Sequence, residues 1–272
     1  MGKLDGKVAF ITGAARGQGR SHAVRLASEG ADVIAVDICR PLDTVRYPMS
    51  TPADLARTVS EVEALDRRIV AVQADVRDGK ALRAAVEEGV AQLGSVDIVL
   101  ANAGVAALGN TDSDDEEIFR ETIDVDLTGV WNTVRAAAPT MIDQGRGGAI
   151  VLTSSTQGLT GRGGDGVIMT AYAAAKHGVV GLMRSFSHWL APHNIRVNTV
   201  HPTGVDTPAI NNDVSREYFE SRPELAAVFQ NLMDVDMVQP IDISNAIAWL
   251  VSDEARYVTG VTLPVDAGFT VR

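Results

Sequence analysis

Tyr172 and Lys176 stand four residues apart in the alanine-rich stretch AYAAAKHG (171–178). That spacing is close to one helical turn, so the two side chains share a face and lie beside each other. A tyrosine titrates near ~10 and exchanges protons poorly at neutral pH. Bringing it to ~7 requires about 4 kcal/mol of preferential stabilisation of the phenolate. An ammonium ~4 Å away supplies about that much at an effective dielectric of ~20. A tyrosine so activated suits alcohol–carbonyl interconversion, in which a hydroxyl proton leaves as a hydride is transferred. The alternative is an ordinary pair on a helix surface, and spacing alone does not separate the two.

A second constellation lies near the N-terminus. TGAARGQG (12–19) follows a β-branched run and opens a helix-like segment, with Gly13, Gly17 and Gly19 spaced G-x-x-x-G-x-G. A turn without Cβ atoms at a helix N-terminus lets backbone N–H groups approach a pyrophosphate. Glycines end strands for many reasons, but the order strand, turn, helix is what a dinucleotide site requires. Arg16 and Gln18 lie inside this turn and join its glycines as cofactor-binding candidates. Asp37 closes the next β-branched run, where a carboxylate accepts from ribose hydroxyls and repels a 2′-phosphate. Asp37 therefore favours NAD over NADP, while Arg16 and Arg40 argue mildly the other way.

The elements that must position these groups alternate along the chain. Seven short apolar runs fall at 7–13, 31–37, 68–75, 96–104, 149–155, 195–202 and 260–266, separated by helix-like segments such as 19–30, 78–94 and 171–190. Runs that are apolar throughout read as strands buried on both faces, the mark of a parallel sheet between helices. The expectation is one α/β domain over residues 1–272: a doubly wound, Rossmann-type, seven-stranded parallel sheet with helices on both faces. Two regions break the rhythm. An irregular proline-containing insertion occupies about 38–52. A long segment over about 205–240 reads as a substrate lid, mixing Ile210, Tyr218, Phe219, Leu225, Val228, Phe229, Leu232 and Met233 with charges.

Composition narrows the partners. A net charge of -11 leaves no basic surplus for nucleic acid. No apolar run reaches the roughly 20 residues of a membrane span, and MGKLDGKVAFITG does not read as a secretory leader. One cysteine, Cys39, fits a reducing cytoplasm. No metal is expected, because the five histidines form no ligand pattern and read as helix-surface or capping residues. The acidic run DSDDEE (112–117) reads as a solvated helix start.

TGAARGQG, ADV at 74–76, NAG at 102–104, SSTQG at 154–158 and YAAAK at 172–176, in this order, resemble the short-chain dehydrogenase/reductase family from about residue 5 to the C-terminus. The resemblance implies that Ser155, Tyr172 and Lys176 are the catalytic serine, tyrosine and lysine, with Ser155 rather than Ser154 as the aligned serine. It implies that Asp75 and Val76 contact the adenine, and that Asn102, Ala103 and Gly104 line the adenosine side of the pocket. Pro202, Val205 and Thr207, in HPTGVDTP (201–208), are further cofactor-side positions. Lys176 would also hold the nicotinamide ribose, and the tail after VTGVTLPVDAG implies a homotetramer. The glycine-rich loop GRGGDGVIMT (161–170) places Ser155 further from Tyr172 than the family's usual spacing.

One departure concerns the site. VDLTG (125–129) carries Asp126 where the family has asparagine, a position associated with a water chain from the lysine to solvent. An ionised aspartate accepts from water but does not donate. Asp126 is therefore expected to weaken the lowering of the Tyr172 pKa.

The insertion after Asp37, with Cys39, Pro41, Tyr47-Pro48 and TPADL (51–55), resembles the carveol dehydrogenase-like, mycofactocin-coupled branch of the family. That branch implies a hydrophobic secondary alcohol or ketone, terpenoid or alicyclic, and NAD that does not exchange. Electrons would then leave through a separate redox carrier such as mycofactocin. Two other readings are open: a catalytically silent NAD-binding regulatory module, and a nucleotide-sugar epimerase or dehydratase. The intact Ser155, Tyr172 and Lys176 disfavour the first, and the short C-terminal region disfavours the second.

Overall fold

The computed structural model describes residues 2–109, 113–164 and 166–272. Asp112, which opens the acidic run, and Asp165, within the glycine-rich loop, lie outside the described residues. Seven strands form one parallel sheet: β1 (Val8–Thr12), β2 (Asp32–Asp37), β3 (Ile69–Gln73), β4 (Ile98–Ala101), β5 (Gly148–Thr153), β6 (Ile195–Pro202) and β7 (Thr262–Val265). Their spatial order is β3-β2-β1-β4-β5-β6-β7. The order reverses between β1 and β4, and doubly wound sheets bind ligands in the crevice that this reversal opens.

The apolar runs become strands because both faces are covered. Along β1, Val8 and Phe10 belong to one core and Ala9 and Ile11 to the other; β2, β4 and β5 divide their residues in the same alternation. The pattern weakens at the edges, where β3 and β7 are only partly buried and expose Ala71, Gln73 and Pro264. An edge strand has one neighbour and incomplete cover, so uniform hydrophobicity is not imposed on it.

On one face lie α1 (Gly17–Ser28) and α10 (Pro240–Val251), packed on each other, with α2 (Pro52–Glu63) beside α1. The other face carries α3 (Gly79–Leu93), α5 (Gly129–Gln144) and α7 (Val167–Leu190). Between them α4 (Asp115–Ile123) runs into α5 through one wide π-helical stretch, Asp124–Thr128. Asp114 caps α4 by accepting from the Glu117 N–H at 2.8 Å, so the described part of the acidic run is a helix start. The long segment between β6 and α10 carries two short helices, α8 (Asp213–Glu220) and α9 (Pro223–Val228). One turn of helix, α6 (Gln157–Thr160), follows β5.

The insertion contains no helix or strand between Ile38 and Thr51, yet it is not a surface appendage. Leu42, Val45 and Tyr47 are buried in the main core, and the Thr44 hydroxyl donates to Glu121 on α4 at 2.5 Å.

Candidate active site

The turn after β1 is built for close approach. Gly13 has φ +69°, and a Cβ on it would lie 2.8 Å from the Ala103 Cα; a Cβ on Gly19 would lie 2.0 Å from the Gly13 carbonyl oxygen. Both positions therefore require glycine. The turn opens α1 at the β1/β4 crevice and lines a groove there. Gly13, Arg16, Gly17, Gln18, Gly19, Asp37, Asp75, Val76, Asn102, Ala103, Gly104 and Thr207 all face this groove. Pro202 and Val205 do not line it. Pro202 ends β6 with its carbonyl accepting from the Thr156 N–H at 3.0 Å, and Val205 is buried in a core, bridged to Val238. Their place in the sequence motif set the expectation; the chain turns so that Thr207, not Val205, reaches the groove.

The Asp37 carboxylate sits at the floor of the groove, 6 % exposed. It accepts from the Ala15 N–H at 2.9 Å, the Cys39 N–H at 3.1 Å and the Ser50 hydroxyl at 2.5 Å. Ser50 comes from the insertion and carries no sequence signal. Cys39 is buried, and burial beside Asp37 pushes its thiol up to about 12, so it is an inert spacer rather than a nucleophile. Arg40 pairs with Asp75 at 3.0 Å and Arg77 holds the same carboxylate at 2.6 Å. The Asp75 carboxyl consequently lies below its ordinary range, because burial is outweighed by these arginine contacts. The Arg40 guanidinium is thus engaged, which removes one of the two groups that argued for a 2′-phosphate.

Behind the groove lies a larger cavity of about 850 Å³, with Ser155 and Tyr172 on its wall. Ser155 follows β5 and Tyr172 lies in the second turn of α7. The Ser155 hydroxyl accepts from the Gln157 N–H at 3.1 Å and shares the cavity wall with Tyr172. Ser154 instead donates to the Lys176 carbonyl at 2.9 Å, so the two serines divide bracing and site between them. The Lys176 Nζ lies 5.3 Å from the centre of the Tyr172 ring, donates to the Thr153 carbonyl at 3.2 Å and pairs with Asp126 Oδ2 at 3.3 Å.

Asp126 is fully buried within the π-helical stretch, and its Oδ1 accepts from the Val105 N–H at 2.7 Å. A Cβ on Gly104 would sit 3.2 Å from Lys176 Nζ, so the glycine of NAG leaves room for the lysine between groove and cavity. The four groups named from sequence therefore converge.

Their electrostatics differ from the sequence expectation in one respect. Lys176 does pull the Tyr172 phenol down, but burial, the largest influence, and Asp126 push it above its usual range. Burial also raises the Asp126 carboxyl against the pull of Lys176. Lys176 is destabilised by burial, yet Asp126 and Tyr172 hold it above the ordinary lysine range and so keep it protonated.

Two histidines are not surface groups, contrary to their reading in the sequence. His201, on β6, is completely buried; its Nδ1 donates to the Ser155 carbonyl at 2.8 Å, leaving Nε2 to accept from the Thr199 hydroxyl at 2.8 Å. Burial lowers its pKa, so a neutral imidazole braces the Ser155 backbone. His22, on α1, is also completely buried, with Nδ1 2.8 Å from the Ser244 hydroxyl.

Of the lid residues, Ile210, Phe219, Phe229, Leu232 and Met233 line the larger cavity. Tyr218 and Leu225 instead pack with Leu108 in a small separate core. Val228 lies on neither cavity wall.

A parallel sheet with this switch point, a glycine turn beneath a buried aspartate, and serine, tyrosine and lysine converging beyond it define a class. The chain belongs to the short-chain dehydrogenase/reductase family and is an oxidoreductase. The matching family model, described as enoyl-(acyl carrier protein) reductase, covers residues 13–270. Among curated proteins, a (-)-trans-carveol dehydrogenase of Rhodococcus erythropolis is 47% identical, with 100% of each chain covered. An uncharacterised oxidoreductase of Mycobacterium tuberculosis is 56% identical over 98% of this chain and 97% of its own. Among solved structures, carveol dehydrogenase of Mycobacterium avium in complex with NAD superposes with a TM-score of 0.92 at 51% identity, covering 100% of both chains. A short-chain dehydrogenase of Mycobacterium paratuberculosis bound to NAD gives 0.92 at 48%, also over 100% of both.

Proposed function

We propose that the protein is a single-domain, NAD-dependent dehydrogenase of hydrophobic secondary alcohols, terpenoid or alicyclic like the carveol of its relatives. The observation that carries this reading is the placement of Ser155, Tyr172 and Lys176 between the glycine-lined groove at the switch point and a cavity that the lid helps to line. The groove fits the cofactor on its own terms. Its glycine turn admits no Cβ at Gly13 or Gly19, and Asp37 presents a carboxylate where a ribose needs an acceptor. The buried Gln18 Oε1 on the groove wall has no protein partner among the described residues. Bound NAD would supply the hydride acceptor and, in its cationic oxidised form, a positive charge that favours the phenolate.

The protein's own residues handle the proton. Ser155 hydrogen-bonds the substrate oxygen and stabilises alkoxide character as it develops. Tyr172, as phenolate, receives the hydroxyl proton while the carbinol carbon gives up its hydride. Lys176 remains an ammonium and stabilises that phenolate, its Nζ 5.3 Å from the centre of the ring. Asp126 anchors the ammonium through its 3.3 Å contact. Ile210, Phe219 and Phe229 give the cavity wall apolar surface against which a hydrophobic skeleton can pack.

The NAD is held without exchange, and electrons leave to a separate redox carrier such as mycofactocin. The insertion supports this reading, because Leu42, Tyr47, Met49 and Ser50 form one wall of the groove. Exposed Phe119 and Trp131 on α4 and α5, and Ile241 and Trp249 on α10, support a homotetramer using these two faces. No described helix is long and apolar enough to cross a membrane, in keeping with work in the cytoplasm. The test is direct: denature the extensively dialysed protein and identify released nucleotide. Near-stoichiometric NAD or NADH is expected; an empty supernatant overturns retention, and bound NADP overturns the assignment of the cofactor.

A further inference from the structure

Gln157 is the one buried side chain on the wall of the larger cavity with no protein partner for either end of its amide, among the described residues. It is 2 % exposed, and both Nε2 and Oε1 are sealed from solvent and unpaired. Its position is close to the chemistry, since its own N–H donates to Ser155 Oγ at 3.1 Å. An amide buried with neither donor nor acceptor satisfied is costly to keep, and an apolar residue of similar shape avoids that cost. Three other polar side chains on this wall are paired. Thr203 donates to Asn231 at 2.7 Å, Asn211 to Asp206 at 3.0 Å, and Asn212 caps α8.

We infer that Gln157 is a substrate-binding residue whose amide, rotated into the cavity, pairs with a second oxygen on the substrate adjacent to the reacting carbinol. The inference rests on the alcohol dehydrogenase reading and narrows it from hydrophobic secondary alcohols to vicinal diols or hydroxyketones on an alicyclic skeleton. A primary amide offers both a donor and an acceptor, so it pairs with the hydroxyl of a diol and with the carbonyl of its ketol product. A site that hydrogen-bonds such an oxygen discriminates strongly against the analogue without it, because the buried amide is then left unpaired.

The test compares menthol with p-menthane-2,3-diol, using the NAD-loaded enzyme and an artificial electron acceptor. The wild type is expected to favour the diol in kcat/KM by about tenfold or more. Gln157→Leu should bring that ratio near one, mainly by losing diol turnover. Gln157→Met, of similar length, replaces it should the leucine variant not fold. Equal turnover of both alcohols by the wild type, or a diol preference that survives the substitution, overturns the inference while leaving the dehydrogenase reading intact. A fall in thermal stability of the variant with the ratio unchanged would assign the amide to an internal water and overturn it equally. Oxidation of neither alcohol counts against the dehydrogenase reading itself and takes this inference with it.

Discussion

Replacing Asp126 by asparagine should move the ascending limb of alcohol oxidation, which follows deprotonation of Tyr172, to lower pH. The carboxylate lies 3.3 Å from Lys176 Nζ, and that Nζ lies 5.3 Å from the Tyr172 ring centre. Together these distances cap the separation of carboxylate and ring at about 8.6 Å. At an effective dielectric of ~20, an ionised Asp126 at about that distance opposes the phenolate by about 1.9 kcal/mol. That corresponds to roughly 1.4 pH units. Asparagine keeps the oxygen that accepts from the Val105 N–H, so the backbone of the NAG turn stays anchored while the charge goes. The loss of an ion pair at Lys176 works against the shift, and the net displacement expected is about one unit toward acid. The assay is the pH dependence of single-turnover hydride transfer, with a carbinol-deuterated alcohol establishing that chemistry is being observed. An unchanged profile, or a shift to alkaline pH, refutes the electrostatic role given to Asp126.

Other perturbations are equally specific. Burial drives His22 down from about 6.5 to about 3, whereas the unfolded chain keeps the ordinary value. Its contribution to stability is therefore complete above about pH 6.5 and is lost as the pH falls toward 3, by an amount on the order of 5 kcal/mol. Urea melts of wild type and His22→Asn across that window should show a shallower acid decline in the variant. Asp37→Ser should weaken NAD binding by at least about tenfold and relax discrimination against NADP, read by calorimetry on enzyme stripped of nucleotide. Ser50→Ala, which removes the 2.5 Å hydrogen bond to Asp37, should produce a smaller loss of the same kind. Phe229→Asn, on the lid, should raise KM for an apolar alcohol severalfold while changing kcat little, as measured by initial rates.

The fold was legible because its physics is local and repetitive. Strands covered on both faces need continuous apolar runs, and helices between them fix a parallel sheet. The site was legible where spacing is itself the chemistry: Tyr172 and Lys176 on one helical face, and glycines where a Cβ would strike Ala103 or the Gly13 carbonyl. What could not be read depends on long-range packing. Ser50 reaches Asp37 across an irregular stretch with no periodicity to place it. The π-helical turn that aims Asp126 at Lys176 has no residue signature distinct from ordinary helix. His22 and His201 looked like surface residues because nothing local reports their complete burial. The upward shift of Tyr172 was missed for the same reason, since a charge pair is visible in sequence and desolvation is not.

Transfer of hydrogen from carbinol carbon to bound nucleotide under the control of Tyr172 is the central claim. Incubating the purified enzyme with carveol deuterated at its carbinol carbon, then denaturing it and weighing the released nucleotide by mass spectrometry, tests it in a single turnover. Deuterated NADH is expected from the wild type, with little or none from Tyr172→Phe over the same interval. Unlabelled nucleotide from the wild type, or equal labelling in both proteins, would contradict it.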